Sequence, residues 1–303
     1  MLYGELEFMC DTSIHQILAY LPDSICRALE ELPAERQKQL EELRFRMGCE
    51  VTALFRGERE QPLSLVRQII CTPSLLQHLL NAVTGYSAYA SDESLRQGFL
   101  PLPGGHRLGI CGTAVLEQGE IRTFHPISSA NLRLARQWPG CADGAMKLLG
   151  KQPENTLVLG PPSSGKTTLL RDLCRQLSDV SGQRVGVVDS RGELAACLDG
   201  MPQLNVGRQT DVIAMAPKEQ GLEILVRTMN PQWVVMDEIT AAGDVEAMLR
   251  ASYCGIRLLA SAHAFDQTDF ASRPLYQRIL SLGLFQNFLI LSRDKQVRLE
   301  RVK

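Results

Sequence analysis

The chain has 303 residues, of which 45% are hydrophobic and 22% are charged, values typical of a globular protein of about two domains. Its formal net charge of -2 argues against strong sequence-independent binding to nucleic acid, which needs clustered basic charge. The nine cysteines form no CxxC pair and have no zinc-like spacing to histidine, so they predict buried thiols in a reducing, cytoplasmic compartment. The sequence contains neither a signal peptide pattern nor an apolar run of about eighteen residues, so we expect no transmembrane segment and attachment to a membrane only through partner proteins.

The first part of the chain, residues 1–140, is predicted to form a smaller α+β N-terminal domain. Residues 13–40 have a helical pattern that two prolines interrupt, and Asp23 is the expected N-cap of the second helix. Residues 41–56 fit a hairpin that turns at Gly48, and a helix is expected after Thr72-Pro73.

Strand-like segments follow between Gly98 and Arg136, separated by glycine-rich turns. We expect antiparallel strands here, with SSANLRLARQ as a strand of its own. The Trp138-Pro139-Gly140 sequence breaks this pattern and marks the predicted domain boundary.

Residues 141–303 alternate between helical and strand patterns. This alternation predicts an α/β domain with a mostly parallel sheet that helices cover on both faces. The last two strands are expected to form a hairpin around Asp294-Lys295. The predicted strand GQRVGVVDS lies in the sequence between the segments GPPSSGKT and QWVVMDE. This order suggests that it is inserted in the sheet between the strands that carry those two segments.

The segment GPPSSGKT, residues 160–167, matches the G-x-x-x-x-G-K-[ST] phosphate-binding loop and has a strand before it and a helix after it. Its glycines allow successive N–H groups to point at phosphate oxygens, and the helix adds its positive dipole end. Lys166 is expected to contact the β- and γ-phosphates and Thr167 to coordinate Mg²⁺. The alternative is a glycine-rich turn without a ligand. The predicted nucleotide-binding residues are Gly160, Pro161, Pro162, Ser163, Ser164, Gly165, Lys166, Thr167 and Thr168.

A second motif, QWVVMDE, places two carboxylates at the end of a buried strand. Ligands bind at this edge in open α/β sheets. We expect Asp237 to hold Mg²⁺ and Glu238 to act as the general base that activates water. No guanine-recognition motif [NT]-K-x-D follows, which favours ATP over GTP. The alternative is a surface Asp-Glu pair that starts a loop.

Two further strand ends carry candidate catalytic residues. The strand expected beside the Asp-Glu strand ends in Ser261, Ala262 and His263, and His263 could sense the γ-phosphate, although a capping or core histidine is the alternative. Asp189, Arg191 and Glu193 lie at the end of another strand, and Glu193 could position water or metal; a solvated, helix-capping loop is the alternative there. One arginine is expected to reach the γ-phosphate of a neighbouring subunit, but the sequence does not choose among the candidates. These candidates are Arg133, Arg191, Arg208 and Arg227.

Four blocks of the sequence resemble the stage III sporulation protein AA family, whose members are similar to the motor ATPases of type II and type IV secretion and of pilus retraction. These blocks are LVLGPPSSGKTTLLRD, VGVVDSRGEL, TMNPQWVVMDEI and LLASAHA. The segments EELRFRMG, GYSAYA and GGHRLGICGTAV add to the resemblance. The secretion ATPases usually have glycine where this chain has Asp237, and the chain lacks their tetracysteine module.

The resemblance implies a RecA-like P-loop ATPase domain and a homo-oligomer, expected to be a hexamer in which the N-terminal domain rides on a neighbour's ATPase domain. It also implies membrane protein partners in the channel between mother cell and forespore, with ATP and Mg²⁺ as cofactors. A nucleic-acid motor or remodelling ATPase remains the alternative, because Arg107, Arg133 and Arg136 could form a basic strip. An ATP-gated scaffold with little turnover is a third interpretation.

Overall fold

The computed structural model describes residues 14–85 and 98–301. The first thirteen residues and most of the GYSAYA segment lie outside the described residues. The chain forms two compact units, Met1–Arg136 and Gln137–Lys303. In the described part of the chain, no helix has the length and apolar character needed to cross a membrane.

The N-terminal unit has a six-stranded antiparallel sheet with strand order β3-β2-β1-β6-β5-β4. Its strands are β1 Leu40–Arg46, β2 Thr52–Phe55, β3 Gln61–Pro62, β4 Phe99–Pro101, β5 Arg107–Glu117 and β6 Glu120–Arg133. Its α-helices are α1 His15–Leu18, α2 Asp23–Glu30, α3 Ala34–Gln39 and α4 Pro73–Val83, and a 3₁₀ turn spans Pro103–Gly105. Fully buried residues such as Leu29, Leu43 and Phe45 form the core beneath the sheet.

The predicted hairpin and the helix after Thr72 are confirmed, and the Thr72 side chain accepts a hydrogen bond from the Leu75 N–H as its N-cap. Two expectations are wrong. The N-cap of α2 is Pro22, and Asp23 is the first helical residue, where its negative charge faces the positive end of the helix dipole. The SSANLR segment belongs to the single strand β6, because its residues pair with β1 on one side and β5 on the other.

The C-terminal unit has a seven-stranded sheet with order β13-β12-β7-β11-β10-β8-β9. The strands are β7 Thr156–Gly160, β8 Val185–Asp189, β9 Thr210–Ala214, β10 Trp233–Met236, β11 Arg257–His263, β12 Asn287–Leu291 and β13 Val297–Arg301. The helices are α5 Asp143–Leu149, α6 Lys166–Asp179, α7 Lys218–Thr228, α8 Ala242–Tyr253, α9 Gln267–Ala271 and α10 Pro274–Ser281. Among the strands that the structure describes in this sheet, only β13 is antiparallel to its neighbour, and apolar clusters pack on both faces. The mostly parallel sheet and the terminal hairpin are therefore confirmed.

The strand inserted between β7 and β10 is β11, not β8 as the order of the motifs suggested. Strands buried on both faces are almost continuously apolar, so their sequences do not reveal which strands are neighbours. The sequence did not predict strand β9. Its residues are partly buried or exposed at the edge of the sheet, so it lacks the continuous apolar run of the central strands.

Candidate active site

The phosphate-loop segment connects β7 to α6, and two of its glycines are required by geometry. A Cβ atom on Gly160 would lie 2.6 Å from Ser164 Oγ and 2.8 Å from the Leu291 carbonyl oxygen. Gly165 has a φ of +98°, which side chains strongly disfavour. The chain therefore turns tightly at the carboxyl edge of the sheet and enters α6 at Lys166.

The Lys166 side chain is only 6% exposed and is held inside the turn. Its Nζ lies 2.9 Å from the carbonyl oxygens of Gly160 and Pro161, and 2.8 Å from His263 Nδ1. Burial lowers the pKa of Lys166, while the nearby Glu238 and Asp237 carboxylates oppose that shift. The loop thus holds a partly desolvated cation next to two acidic groups.

The two sequence motifs meet at Thr167 and Asp237, although 70 positions separate them. Thr167 Oγ1 donates a hydrogen bond of 2.9 Å to Asp237 Oδ2. The other oxygen, Oδ1, accepts a bond of 2.7 Å from the fully buried Ser261 hydroxyl, and Ser261 Oγ in turn accepts one of 3.0 Å from the Glu238 N–H. Ser261 therefore orients both acidic residues, a role that the sequence indicated only through its place at a strand end.

Glu238 lies at the centre of a charged cluster and has an unusual backbone φ of +39°. Its Oε2 is 2.6 Å from Arg191 Nη1, and its Oε1 is 3.2 Å from His263 Nε2. Because a lysine ammonium can only donate, the Lys166 contact assigns an acceptor role to His263 Nδ1 and the ring proton to Nε2, facing Glu238. His263 therefore links the lysine to the glutamate.

Lys218 is a cation at this site that the sequence did not single out. Its Nζ donates to the Glu238 carbonyl oxygen and lies 3.3 Å from Asp244 Oδ2. The Asp244 carboxylate also caps the start of α8 by accepting from the Thr240 and Ala241 N–H groups. Lys218 thus fixes the backbone of Glu238, and no motif could have revealed this because the contact depends on how α7 packs beside α8.

The residues at the end of β8 and in the loop that follows it have two roles. The Asp189 carboxylate accepts hydrogen bonds from four consecutive backbone N–H groups, those of residues 193–196, at 2.7 to 3.2 Å. It therefore organises the loop that carries Glu193, whose carbonyl oxygen accepts from the buried Arg171. The Arg191 side chain reaches Glu238, and the role of Glu193 stays a prediction.

The remaining candidate residues are spread over the loop and the surface. Pro161 and Ser164 are buried, Pro162 and Ser163 are exposed, and Thr168 is partly buried in the first turn of α6. The Ser164 hydroxyl has no hydrogen-bond partner among the residues that the structure describes. Among the arginines, Arg208 and Arg227 are exposed, and Arg133 pairs with Glu42 at 3.2 Å in the N-terminal unit.

Comparison with known proteins decides the family. A family model described as "Sporulation stage III, protein AA" matches residues 11–300. The chain belongs to this family. It is 36% identical over 287 residues to stage III sporulation protein AA of Bacillus subtilis (strain 168), and the alignment covers 93% of this chain and 92% of that protein. It is also 30% identical over 144 residues to the competence protein ComGA of Streptococcus pneumoniae, covering 46% of this chain and 42% of that one.

Solved structures confirm the RecA-like P-loop ATPase fold. The ATPase DotB of Legionella pneumophila aligns with a TM-score of 0.56 and 16% identity, over 93% of this chain and 80% of that chain. The pilus retraction motor PilT with bound ADP aligns with a TM-score of 0.57 and 16% identity, over 85% and 75% of the two chains. At these identities the likeness establishes the fold alone.

Proposed function

We propose that this protein is an Mg²⁺-dependent ATP hydrolase in which Glu238 is the general base. The observation that carries the proposal is the contact between Thr167 and Asp237 at 2.9 Å, which brings the two halves of a phosphate-loop site together. Lys166 lies in the same site, close enough for both carboxylates to affect its pKa. A glycine-rich turn that binds no ligand would not require the phosphate-loop segment and the Asp-Glu strand to meet.

The residues present fit Mg²⁺ and a nucleoside triphosphate. Mg²⁺ prefers oxygen ligands and is usually bound by one or two carboxylates together with substrate phosphates and waters. Thr167 and Asp237 supply a hydroxyl and a carboxylate, and the buried Ser164 hydroxyl is a free polar group in the loop, judged on the described residues. Bound Mg²⁺ would neutralise charge on the phosphates.

The chemistry of this chain's own residues follows from the hydrogen bonds. Lys166 is expected to exchange its bonds with the Gly160 and Pro161 carbonyls for phosphate oxygens. Glu238 is expected to accept a proton from the attacking water through a lone pair that its contacts with Arg191 and His263 leave free, and the loss of its negative charge weakens those contacts. Arg191 is then available to a phosphate in the same subunit, and His263 to the phosphate or the water.

The biological role that we propose is to power assembly of, or transport through, a sporulation channel between mother cell and forespore. Family membership and the fold shared with DotB and PilT support this role. We further propose a homo-oligomer, such as a hexamer, that is cytoplasmic and reaches the membrane through channel proteins. The alternative of a nucleic-acid motor receives less support, because Arg133 of the expected basic strip pairs with Glu42 and Arg136 donates to the Leu40 carbonyl.

The test is the steady-state ATPase rate of the full chain with and without Mg²⁺, and with DNA or RNA added across a salt series. We expect hydrolysis that needs Mg²⁺ and changes little with nucleic acid. Strong stimulation by DNA or RNA that salt abolishes would favour the nucleic-acid motor. Absence of Mg²⁺-dependent turnover at all protein concentrations, with ATP still bound, would favour the ATP-gated scaffold.

A further inference from the structure

A second lysine contacts the phosphate-loop segment, and neither motif includes it. Lys295 lies in the turn between β12 and β13, and β12 runs parallel beside β7, so this turn reaches the edge where the loop begins. Lys295 Nζ is 2.7 Å from the Ser164 carbonyl oxygen and 3.2 Å from that of Ser163. It also lies 3.3 Å from the position that a Cβ atom on Gly165 would take.

The turn holds Lys295 in place through its own backbone. The Ser292 N–H donates to the Gln296 carbonyl at 3.0 Å, and the Lys295 N–H donates to the Ser292 carbonyl at 3.2 Å. Lys295 has a φ of +62°, a conformation typical of tight turns. The side chain therefore extends from a defined hairpin and not from a loose terminus.

The planarity of the peptide bond gives the Lys295 contact a consequence for the loop. In a trans peptide, the carbonyl of one residue and the N–H of the next point in opposite directions. Because the carbonyl oxygens of Ser163 and Ser164 both lie within hydrogen-bond distance of the Lys295 ammonium, the N–H groups of Ser164 and Gly165 point away from it, and that of Ser164 donates to the Pro161 carbonyl at 3.3 Å. These are N–H groups of the kind that bind phosphate in such loops.

The two lysines act on different parts of the loop. Lys166 binds the carbonyls of Gly160 and Pro161, while Lys295 binds those of Ser163 and Ser164. When Lys166 exchanges its carbonyls for phosphate oxygens, the first pair loses its cation. The contact with Lys295 involves no group that the substrate needs, so it can persist through that exchange.

We propose that Lys295 is a positioning residue for nucleotide binding, which rests on the function proposed above. It fixes two peptide planes of the loop so that the Gly165 N–H, and the Ser164 N–H once it leaves the Pro161 carbonyl, face the phosphates of a nucleoside di- or triphosphate. Its positive charge also polarises these peptides, which strengthens their N–H groups as donors. Lys295 thereby connects the C-terminal hairpin to the phosphate loop.

The experiment compares Lys295→Met, which removes the charge and keeps an unbranched side chain of similar length, with Lys295→Arg and with Arg293→Met as the matched control. Arg293 is exposed in the same turn. Binding of a fluorescent ADP analogue to the full chain is titrated in the presence of Mg²⁺. We expect the Kd of Lys295→Met to rise about tenfold, on the scale of one charge-assisted hydrogen bond. Lys295→Arg should recover most of the affinity, and Arg293→Met should bind as the parent does.

Two further measurements separate positioning from a merely structural role. In the ATPase assay, Lys295→Met should raise KM about tenfold while kcat stays within about threefold, since the interaction acts mainly on binding. In the ligand-free protein, the amides of Ser164 and Gly165 should exchange hydrogen faster in Lys295→Met than in Arg293→Met. This second measurement needs no nucleotide and remains informative if binding is weak.

Unchanged affinity and unchanged amide exchange in Lys295→Met would overturn the inference, as would an equal loss in Arg293→Met, which would indicate a general charge effect. Failure of the proposed function has a different signature. In that case the parent protein itself would not bind the ADP analogue, or Lys166→Ala would bind it as well as the parent does.

Discussion

In the N-terminal unit, charged side chains pair with one another along the strands of an antiparallel sheet, whereas in the C-terminal unit they converge at one edge of a parallel sheet. Arg44 and Arg133 both contact Glu42, and Arg46 contacts Glu60. In the other unit Lys166 comes from one segment and the adjacent Asp237 and Glu238 from another, and they meet in one site.

The difference has a topological cause. Parallel strands all end at the same edge, so the residues that follow several strands become neighbours. Antiparallel strands alternate their direction, so residues that follow consecutive strands lie at opposite edges. Solvent-exposed ion pairs such as those of the N-terminal sheet contribute roughly 0–1 kcal/mol each to stability. The comparison predicts that charge changes alter catalysis in the C-terminal unit and have little effect on it in the N-terminal unit, with Arg133, a candidate for acting between subunits, as the exception tested below.

The largest expected effect is that of Lys166→Ala. Removing the cation that is expected to meet the β- and γ-phosphates should abolish ATP turnover, while circular dichroism and thermal unfolding should show a folded protein. Lys147→Ala, in the exposed part of α5, is the matched control and should retain activity. Normal hydrolysis by folded Lys166→Ala would refute the assignment of the phosphate loop.

Glu238→Gln should have the next largest effect, because it keeps the size of the side chain and loses the base. We expect kcat to fall about a hundredfold or more, with ATP still bound, as measured by single-turnover kinetics and by retention of labelled nucleotide. Glu223→Gln, on the exposed side of α7, should behave as the parent protein.

The neighbouring carboxylate separates metal binding from proton transfer. Asp237→Asn should raise the Mg²⁺ concentration needed for half-maximal activity, because it removes the negative charge of a metal ligand. If Glu238→Gln turns over at the parental rate, the base is another residue, and Glu193 is the first to test.

A stability effect tests the N-terminal unit, in which His106 is a buried residue with a shifted pKa. His106 is 1% exposed, and its Nδ1 accepts from the Ala135 N–H at 3.0 Å. Burial, and secondly the charge of Arg136, lower the pKa of His106 from 6.5 to about 4. Its folded form therefore stays neutral over a pH range in which the unfolded chain takes up a proton.

The sign of the pH dependence follows from that shift. As pH falls from 6.5 to 4, the unfolded state binds a proton that the folded state does not, so the free energy of unfolding decreases, by about 3 kcal/mol in total. Hydrogen exchange of the β5 and β6 amides as a function of pH measures the loss. His106→Gln should flatten the slope, and the exposed His78→Gln should leave it intact. An unchanged slope in a folded His106→Gln protein would contradict the assignment.

The smallest expected effect is partial recovery of activity in mixed oligomers. A variant of the arginine that acts between subunits should be inactive alone and should regain a fraction of the parental rate when mixed with Lys166→Ala, because one interface then pairs an intact ATP site with an intact arginine. The candidates are Arg133, Arg191, Arg208 and Arg227.

This experiment also sharpens the comparison of the two units. Arg191 already contacts Glu238 within its own chain, so we expect Arg191→Ala not to recover by mixing. The specific activity of the parent should rise with protein concentration, since assembly follows mass action. A constant rate per chain down to a proven monomer would exclude a site shared between subunits.

Much of the site follows from the sequence alone. The phosphate-loop motif predicted a turn between a strand and a helix, and the structure has β7 and α6 there. The sequence also predicted correctly the strand that precedes Asp237 and, beside it, the strand that ends at His263. These features are local, because the motif spacing, the apolar runs and the glycines that allow positive φ each act within about ten residues.

Only the tertiary structure decided which strands are neighbours and which side chains meet. Strands β8 and β10 are fully buried, and β11 is buried except at its two ends, so their composition could not show that β11, and not β8, lies next to β7. The contacts of Lys218 with Glu238 and of Lys295 with the loop carbonyls join residues that lie 20 and 131 positions apart. No local pattern encodes such contacts, since each depends on where the packing of a whole helix or hairpin places one flexible side chain.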